Sequence, residues 1–291
     1  MQSNLKILFI INSVSGNNTT DWSGAITDYF KTSNHEIILY SLPKDCNVQI
    51  VKEQIKLHTP NLVVAVGGDG TIKLVAECLL LTNIPLGIIP AGSANGLAKE
   101  LGIGNTISQA LDVLEHGQLK RIHLTTVNQH LCIHLSDVGL NAYAMKKFEK
   151  LPLRGMWGYI KAFLHVLWKN PKMEIEMEIE KQSIKIIAEM VVIANATKYG
   201  SGALINPIGK LDDDVFEVIA IKKISFREIF KMMYTHQPYN TEKTEIFQAK
   251  SLYIKSKKKI HFQVDGEYLG KVRIVNAEVI PHALDILVPV A

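Results

Sequence analysis

Two short glycine-bearing acidic turns hold the residues best suited to chemistry in this chain of 291 residues: Gly67-Gly68-Asp69-Gly70-Thr71 and Gln263-Val264-Asp265-Gly266-Glu267. In the first, three glycines let the backbone approach a ligand closely and turn its N–H groups toward an anion, and the helical pattern that follows adds a positive dipole end. Phosphate is the natural guest. A lone carboxylate repels phosphate, so Asp69 implies either a cation between the two or a proton-handling role. A tight turn with Asp69 as a helix cap is the plainer reading and stays open. In the second turn, carboxylates at i and i+2 can share a site, one positioning and one accepting a hydroxyl proton. Asp-Gly between strands is equally a hairpin signal.

Three further stretches offer supporting groups. Asn12-Ser13-Val14-Ser15-Gly16 presents an amide, hydroxyls and backbone N–H groups for a second set of phosphate contacts, or is an ordinary strand-to-helix loop. In Ala91-Gly92-Ser93-Ala94-Asn95-Gly96, Ser93 can bond a phosphate or ribose and Asn95 can orient a nucleotide. Lys99 lies one turn into the following helix, facing phosphate or solvent. Lys210-Leu211-Asp212-Asp213-Asp214-Val215 sets three carboxylates in a row, which repel one another unless solvated or holding a divalent cation.

These turns need rigid elements to place them. Lys6 to Ile11, His35 to Ser41, Val63 to Val66 and Ile84 to Pro90 read as strands. Ala25 to Lys31, Val48 to His58, Ile72 to Leu81 and the stretch from Leu97 read as helices. The alternation, continued to about residue 120, implies a largely parallel sheet with its ligand crevice at the carboxyl ends of the strands. Farther on, Met173, Ile175, Met177 and Ile179 alternate with glutamates, the mark of a half-exposed antiparallel strand. Ile184 to Asn195, Val215 to Ile221, Ala249 to Lys255 and Ile260 to Val264 continue that pattern. A helix is expected at about Phe226 to His236, and a last strand, Ala283 to Val290, can pair with either half. The helical region Tyr143 to Asn170 mixes lysines with aromatics, so it reads as a membrane-surface contact or as a solvated basic face. We expect a first domain at 1–125 and a second, mainly β, at 126–291.

Composition narrows the class. Apolar residues make up 47%, enough for globular cores, and a formal charge of +4 is too slight to point to a strong DNA binder. Cys46, Cys78 and Cys132 form no C-x-x-C pair and read as reduced thiols of a cytoplasmic protein. No signal peptide or spanning helix is evident in the sequence.

Gly-Gly-Asp-Gly-Thr after an apolar strand resembles the signature shared by diacylglycerol kinases, sphingosine kinases, NAD kinases and phosphofructokinases. The run from Ile89 through Asn95 to Ile103 is similar to the second signature of the diacylglycerol kinase catalytic family, and its Pro-Ala-Gly-Ser opening looks like the sphingosine and ceramide kinase branch. This resemblance covers nearly the whole chain. It implies an α/β N-terminal domain with the three-layer, mostly parallel sheet of NAD kinases and diacylglycerol kinases, followed by a mainly-β, sandwich-like C-terminal domain. It further implies ATP and Mg²⁺ as cofactors and an active site in the interdomain cleft. ATP would be held by Asn12 to Gly16, by Gly67, Gly68, Asp69, Gly70 and Thr71, and by Ser93 and Asn95. Asp69 would organise the catalytic Mg²⁺, Glu267 would be the general base and Asp265 its support. Pro207 to Phe216 resembles the family loop in which a structural Mg²⁺ sits on an aspartate and backbone carbonyls, here Asp213 with Lys210 and Val215. The acceptor would be a hydroxyl of diacylglycerol or a related lipid alcohol, met by a cytoplasmic protein peripheral to the membrane. A sphingoid-base or ceramide-type kinase and a weakly active nucleotide-binding member are alternatives, with an NAD kinase behind them. Homodimerisation is left open, and no nucleic-acid partner is expected. The chain departs from the family pattern at Lys73-Leu74 (family Asn-Glu), Gly96 and His123 (both family Asp), Ser13 (family Pro) and Asp214 (family Gly).

Overall fold

Lys6–Ile11 forms β1 in a computed structural model of the chain, and the buried character of its apolar run fits a strand covered on both faces. The structure describes residues 4–13, 20–151, 155–168, 172–180, 182–199, 202–225, 227, 228, 231, 235, 239, 240 and 242–290. Two compact units emerge, Met1–Ile122 with His282–Ala291, and His123–Pro281.

In the first unit β1 lies between β2 (Glu36–Ser41) and β3 (Leu62–Gly67), and β3 pairs in turn with β4 (Leu86–Pro90), all parallel. The end of β14 (Glu267–Val288) adds a further parallel strand through Ile286 opposite Leu86. The expected closing strand is therefore the tail of a much longer one. Val63, Val64, Ala65 and Val66 have no exposed surface, because helices cover the sheet. Those helices are α1 (Trp22–Phe30), α2 (Val48–His58), α3 (Asp69–Leu79), the single turn α4 (Gly96–Glu100) and α5 (Ile107–His116). Local caps fix several starts: Asp21 accepts from the Gly24 N–H, Asn47 from the Ile50 N–H, and Thr106 forms a capping box with Gln109.

In the second unit β12 (Thr244–Ala249), β11 (Phe216–Ile221), β10 (Met190–Ala194), β7 (Leu135–Gly139), β13 (Ser251–Val264) and β14 pair antiparallel in that order. The hairpin of β8 (Met173–Ile179) and β9 (Gln182–Ala188) joins along β13. β5 (Gln118–Val127) pairs with β6 (His130–Cys132). As the alternation requires, Met173, Ile175, Met177 and Ile179 are buried while Glu174 and Glu178 are exposed.

Several expectations need correction. The helical region Tyr143 to Asn170 holds two helices, α6 (Leu140–Glu149) and α7 (Gly155–Leu167). Ile184 to Asn195 is likewise two strands, parted at Glu189, whose buried carboxylate accepts the Ile224 N–H at 2.7 Å. Ala249 to Lys255 and Ile260 to Val264 belong to one strand, β13, whose register slips between Lys255 and Ile260. That irregularity, with exposed lysines at 257–259, hid the continuity from the alternation pattern. The helix expected at Phe226 to His236 lies mostly outside the described residues. Among the described residues no helix is long and apolar enough to cross a membrane.

Candidate active site

At the carboxyl ends of the parallel strands three loops of the first unit meet. The Asn12 N–H donates to the Val66 carbonyl at 2.9 Å, and its side-chain amide donates to Thr71 Oγ1 at 3.0 Å, so the loop after β1 is tied to the turn after β3. The loop after β4 is held closer still. Ala91 N–H reaches the Gly67 carbonyl at 2.9 Å, and the Leu97 N–H donates to Asp69 Oδ1 at 3.3 Å. Backbone packs on backbone here: a Cβ on Gly92 would lie 2.5 Å from Gly68 Cα, and one on Gly67 would lie 2.4 Å from Thr71 Oγ1. Gly70 differs, because a Cβ there would meet nothing within 4 Å. It is the exposed position of the turn, at the start of α3, where the first main-chain N–H groups of a helix have no i−4 partner within it, although that of Thr71 donates to the Gly68 carbonyl at 2.9 Å.

The side chains divide into those that build the loops and those that face outward. Asn95, at φ +51, clasps Gly92 by accepting its N–H and donating to its carbonyl, both at 2.9 Å. Ser93 and Lys99 are exposed, and Ser13 borders the same loop set. Val14, Ser15 and Gly16 lie outside the described residues. Asp69 is partly exposed, and its Oδ2 faces no protein donor among the described residues. A carboxylate with one oxygen fixed and one open fits a water-shelled Mg²⁺, which binds through few protein ligands.

In the second unit the turn between β13 and β14 places Asp265 at φ +49 and Gly266 at φ +85, the paired positive values of a tight hairpin. The Asp265 carboxylate accepts three successive main-chain N–H groups, from Ile133 at 3.2 Å, His134 at 2.9 Å and Leu135 at 3.3 Å. Asp265 thus anchors the turn to the entry of β7. Glu267 is exposed, with no side-chain hydrogen bond or ion pair among the described residues. Behind the turn, Gln263 accepts the Gly266 N–H at 2.7 Å and donates to Asp137 Oδ2 at 2.6 Å. Asp137 has no exposed surface; Asn141 and Tyr199 also donate to it. Burial pushes its carboxyl up to about 6, against the pull of those hydrogen bonds. Sequence reading passed over Asp137. The available signal was a charged residue inside the apolar β7 run.

Comparison with known proteins bears on both units. Residues 6–127 match the model of the diacylglycerol kinase catalytic domain, and residues 136–288 match that of the YegS C-terminal NAD kinase beta sandwich-like domain. The chain belongs to the diacylglycerol kinase family. A diacylglycerol kinase of Staphylococcus saprophyticus is 27% identical over 222 residues, covering 72% of each chain. An uncharacterized protein of Synechocystis is 27% identical across 99% of this chain, which spans 64% of that protein's length. Among solved structures, a diacylglycerol kinase of Bacillus anthracis superposes with a TM-score of 0.73 at 18% identity, covering 97% of this chain and 96% of its own. An NAD kinase of Archaeoglobus fulgidus in complex with ATP gives 0.51 at 12% identity, covering 97% and 93%. These likenesses establish the fold expected from the sequence: a three-layer α/β unit followed by a β sandwich-like one.

The family's acidic positions that this chain lacks now have a structural description. Beside Gly96, the Leu97 N–H donates to Asp69 Oδ1 at 3.3 Å. Asp214 holds φ +55, the left-handed conformation for which the family uses glycine and which aspartate tolerates better than most residues. His123 is fully buried against that loop. Its Nδ1 accepts the Asp214 N–H at 3.2 Å and lies 3.9 Å from Asp213 Oδ1, while the main-chain N–H of His123 donates to the Leu211 carbonyl at 2.8 Å. Burial lowers the imidazole pKa, with Asp213 and Asp214 opposing. Asp213 Oδ1 also accepts the Val215 N–H at 3.4 Å. Among the described residues no three His, Cys, Asp or Glu side chains gather for a metal. The Asp213 carboxylate is thus engaged within the loop, by the Val215 N–H and beside the buried imidazole, and no chemistry is routed through a cation at Lys210 to Val215.

Proposed function

We propose that this chain transfers the terminal phosphoryl group of ATP to a hydroxyl of diacylglycerol or a related lipid alcohol. The observation that carries this reading is the meeting of three loops around Asp69 with Gly70 open beside it, in a chain matched by the diacylglycerol kinase catalytic model. Phosphoryl transfer asks for placement and charge stabilisation more than for covalent chemistry. In this reading the main chain of Gly68 to Thr71, with Asn12, Ser13 and Ser93, holds the phosphates, while Asn95 shapes the loop. Asp69 is the residue that would hold Mg²⁺, and the cation when bound offsets the negative charge of the phosphates. Glu267 accepts the proton of the attacking hydroxyl. Asp265 and Gln263 fix the turn that carries it. The expected setting is the cytoplasmic face of a membrane, where the lipid acceptor lies.

Glu267→Gln tests the base directly. Turnover falls by roughly 10² to 10⁴ while calorimetric ATP affinity holds, because only proton acceptance is lost. Turnover equal to that of the parent would remove Glu267 from the role. One observation favours a second reading, a nucleotide-binding member with little turnover: His123, Leu74 and Gly96 stand where the family resemblance expects acids. That reading expects ATP binding without phosphorylated lipid.

A further inference from the structure

Glu267 opens β14, and the residue that follows it is held by a helix of the same unit. The N–H of Tyr268, which belongs to the peptide bond leaving Glu267, donates at 3.3 Å to Oε1 of Glu149, the last residue of α6. Earlier on α6, Lys146 Nζ lies 5.4 Å from the centre of the Tyr268 ring, within cation–π range. Met145 is the neighbour that a Cβ on Gly266 would meet, at 3.9 Å. Met145, Lys146 and Glu149 are three and four residues apart, so one face of α6 runs along the hairpin.

The Tyr268 ring has an anchor of its own. Its hydroxyl shares a 2.8 Å hydrogen bond with His261 Nδ1 of β13, and His261 stacks on Tyr143 of α6 with centroids 4.3 Å apart and planes within 9° of parallel. Burial, and then the charges of Lys271, Lys146 and Lys147, bring the imidazole down to about 4. Near neutrality it is therefore uncharged and has a nitrogen able to accept from the hydroxyl. Tyr268 pairs with Gln263, two residues from His261, which puts the three on one face of the hairpin. One step farther the ladder slips: Phe262 pairs with Gly270, at φ +103, and Leu269 is passed over. Such a bulge interrupts the pairing and lets the strand bend, so the setting of the hairpin depends on these side chains as well as on the ladder.

Glu267 itself is exposed, with no side-chain hydrogen bond or ion pair among the described residues, so the main chain on either side must place it. Asp265 and Gln263 do this from before it. We propose that Tyr268, gripped by His261 and Glu149, does it from behind, as a positioning residue that acts through Glu267 and not on the substrate. The inference rests on the reading of Glu267 as proton acceptor, and adds Tyr143, His261 and Glu149 to the groups that serve it.

A double-mutant cycle on the full chain tests this, with phosphorylation of diacylglycerol and calorimetric ATP affinity measured on each form. Tyr268→Phe keeps the ring and removes only the hydroxyl. Turnover is expected to fall about 10-fold at unchanged ATP affinity, the penalty of a slightly misplaced group. Made in Glu267→Gln, the same change should alter the residual turnover by less than about twofold, because no base is left to misplace. Glu149→Ala should behave like Tyr268→Phe, whereas Glu149→Gln, which still offers an oxygen to the Tyr268 N–H, should keep parent turnover. Parent turnover in Tyr268→Phe, or an equal fold loss with and without Glu267, would overturn the proposal and leave Tyr268 a packing residue. Parent turnover in Glu267→Gln alone would instead overturn the base reading, and this inference with it.

Discussion

Gln263 joins the buried Asp137 to the hairpin that carries Glu267, donating to the Asp137 carboxylate at 2.6 Å and accepting the Gly266 N–H at 2.7 Å. An amide in that place orients itself, because only its oxygen can take the N–H and only its nitrogen can serve the carboxylate. Gln263→Leu breaks both links and leaves the Asp137 carboxylate short of one donor. The expected cost is about 1–3 kcal/mol of stability in denaturant titration, with a further loss of turnover if the turn shifts Glu267. Parent stability in this variant would show that the link is idle.

Asp137 also makes stability depend on pH. Its folded-state pKa, about 6, stands above the ordinary 3.8, so the native chain holds this proton more tightly than the unfolded one. The contribution is fully present below the unfolded value and is lost as pH rises through about 6. It amounts to something on the order of 3 kcal/mol. His123, depressed by burial, works in the opposite sense: its contribution is present above the unfolded imidazole value and is lost as pH falls through the lower folded one. Asp137→Asn should therefore remove a downward slope between about pH 4 and 6 in stability against pH, read as the difference from the parent curve. Parallel curves would contradict the assignment.

The glycines of the phosphate loops separate structure from binding. Gly92→Ala forces a Cβ to 2.5 Å from Gly68 Cα and should cost about 1–3 kcal/mol, seen as a lower melting temperature. Gly70→Ala meets nothing in the protein, and as a helix position should be neutral to about 1 kcal/mol more stable. If a triphosphate lies against that exposed edge, ATP affinity in this variant drops while stability does not. ATP binding at parent affinity would move the nucleotide elsewhere.

His123→Ala tests how the 212–214 loop is held. The Asp214 N–H loses its acceptor and a buried volume opens, so a loss of about 2–4 kcal/mol is expected. Mg²⁺ should neither restore the variant nor raise the melting temperature of the parent through this loop. Stabilisation of the parent by Mg²⁺ that vanishes in Asp213→Ala would show a cation where we read an imidazole.

Much of the first unit was legible because its signals are local. Lys6–Ile11 and Val48–His58 have in the structure the bounds read from the sequence, the first a continuous apolar run, the second a periodic helix behind an Asn47 cap. The glycines after β3 and β4 were legible as turns, but their contact was not. The approach of Gly92 to Gly68 and the bond from Leu97 to Asp69 join residues 24 and 28 apart, and only the pairing of β3 with β4 brings them together. The second unit hid more. Asp265 read as a hairpin aspartate, and it is one. Its three amide partners, Ile133, His134 and Leu135, lie at the entry to β7, more than 100 residues away. Nothing near Asp137 in the chain marks it as the partner of Gln263, since antiparallel pairing of β7 with β13 makes that contact.

In the proposed reading Asp69 serves phosphoryl transfer and is not merely a brace between two loops. Asp69→Asn keeps an oxygen for the Leu97 N–H and removes the charge. The decisive measurement is thin-layer separation of lipid products after incubation of each form with terminally labelled ATP, Mg²⁺ and diacylglycerol, alongside a melting curve. We expect labelled phospholipid from the parent, a loss of roughly 10²-fold or more in Asp69→Asn, and melting temperatures that agree. Equal product from the two forms, or none from the parent across a panel of lipid alcohols, would contradict the account.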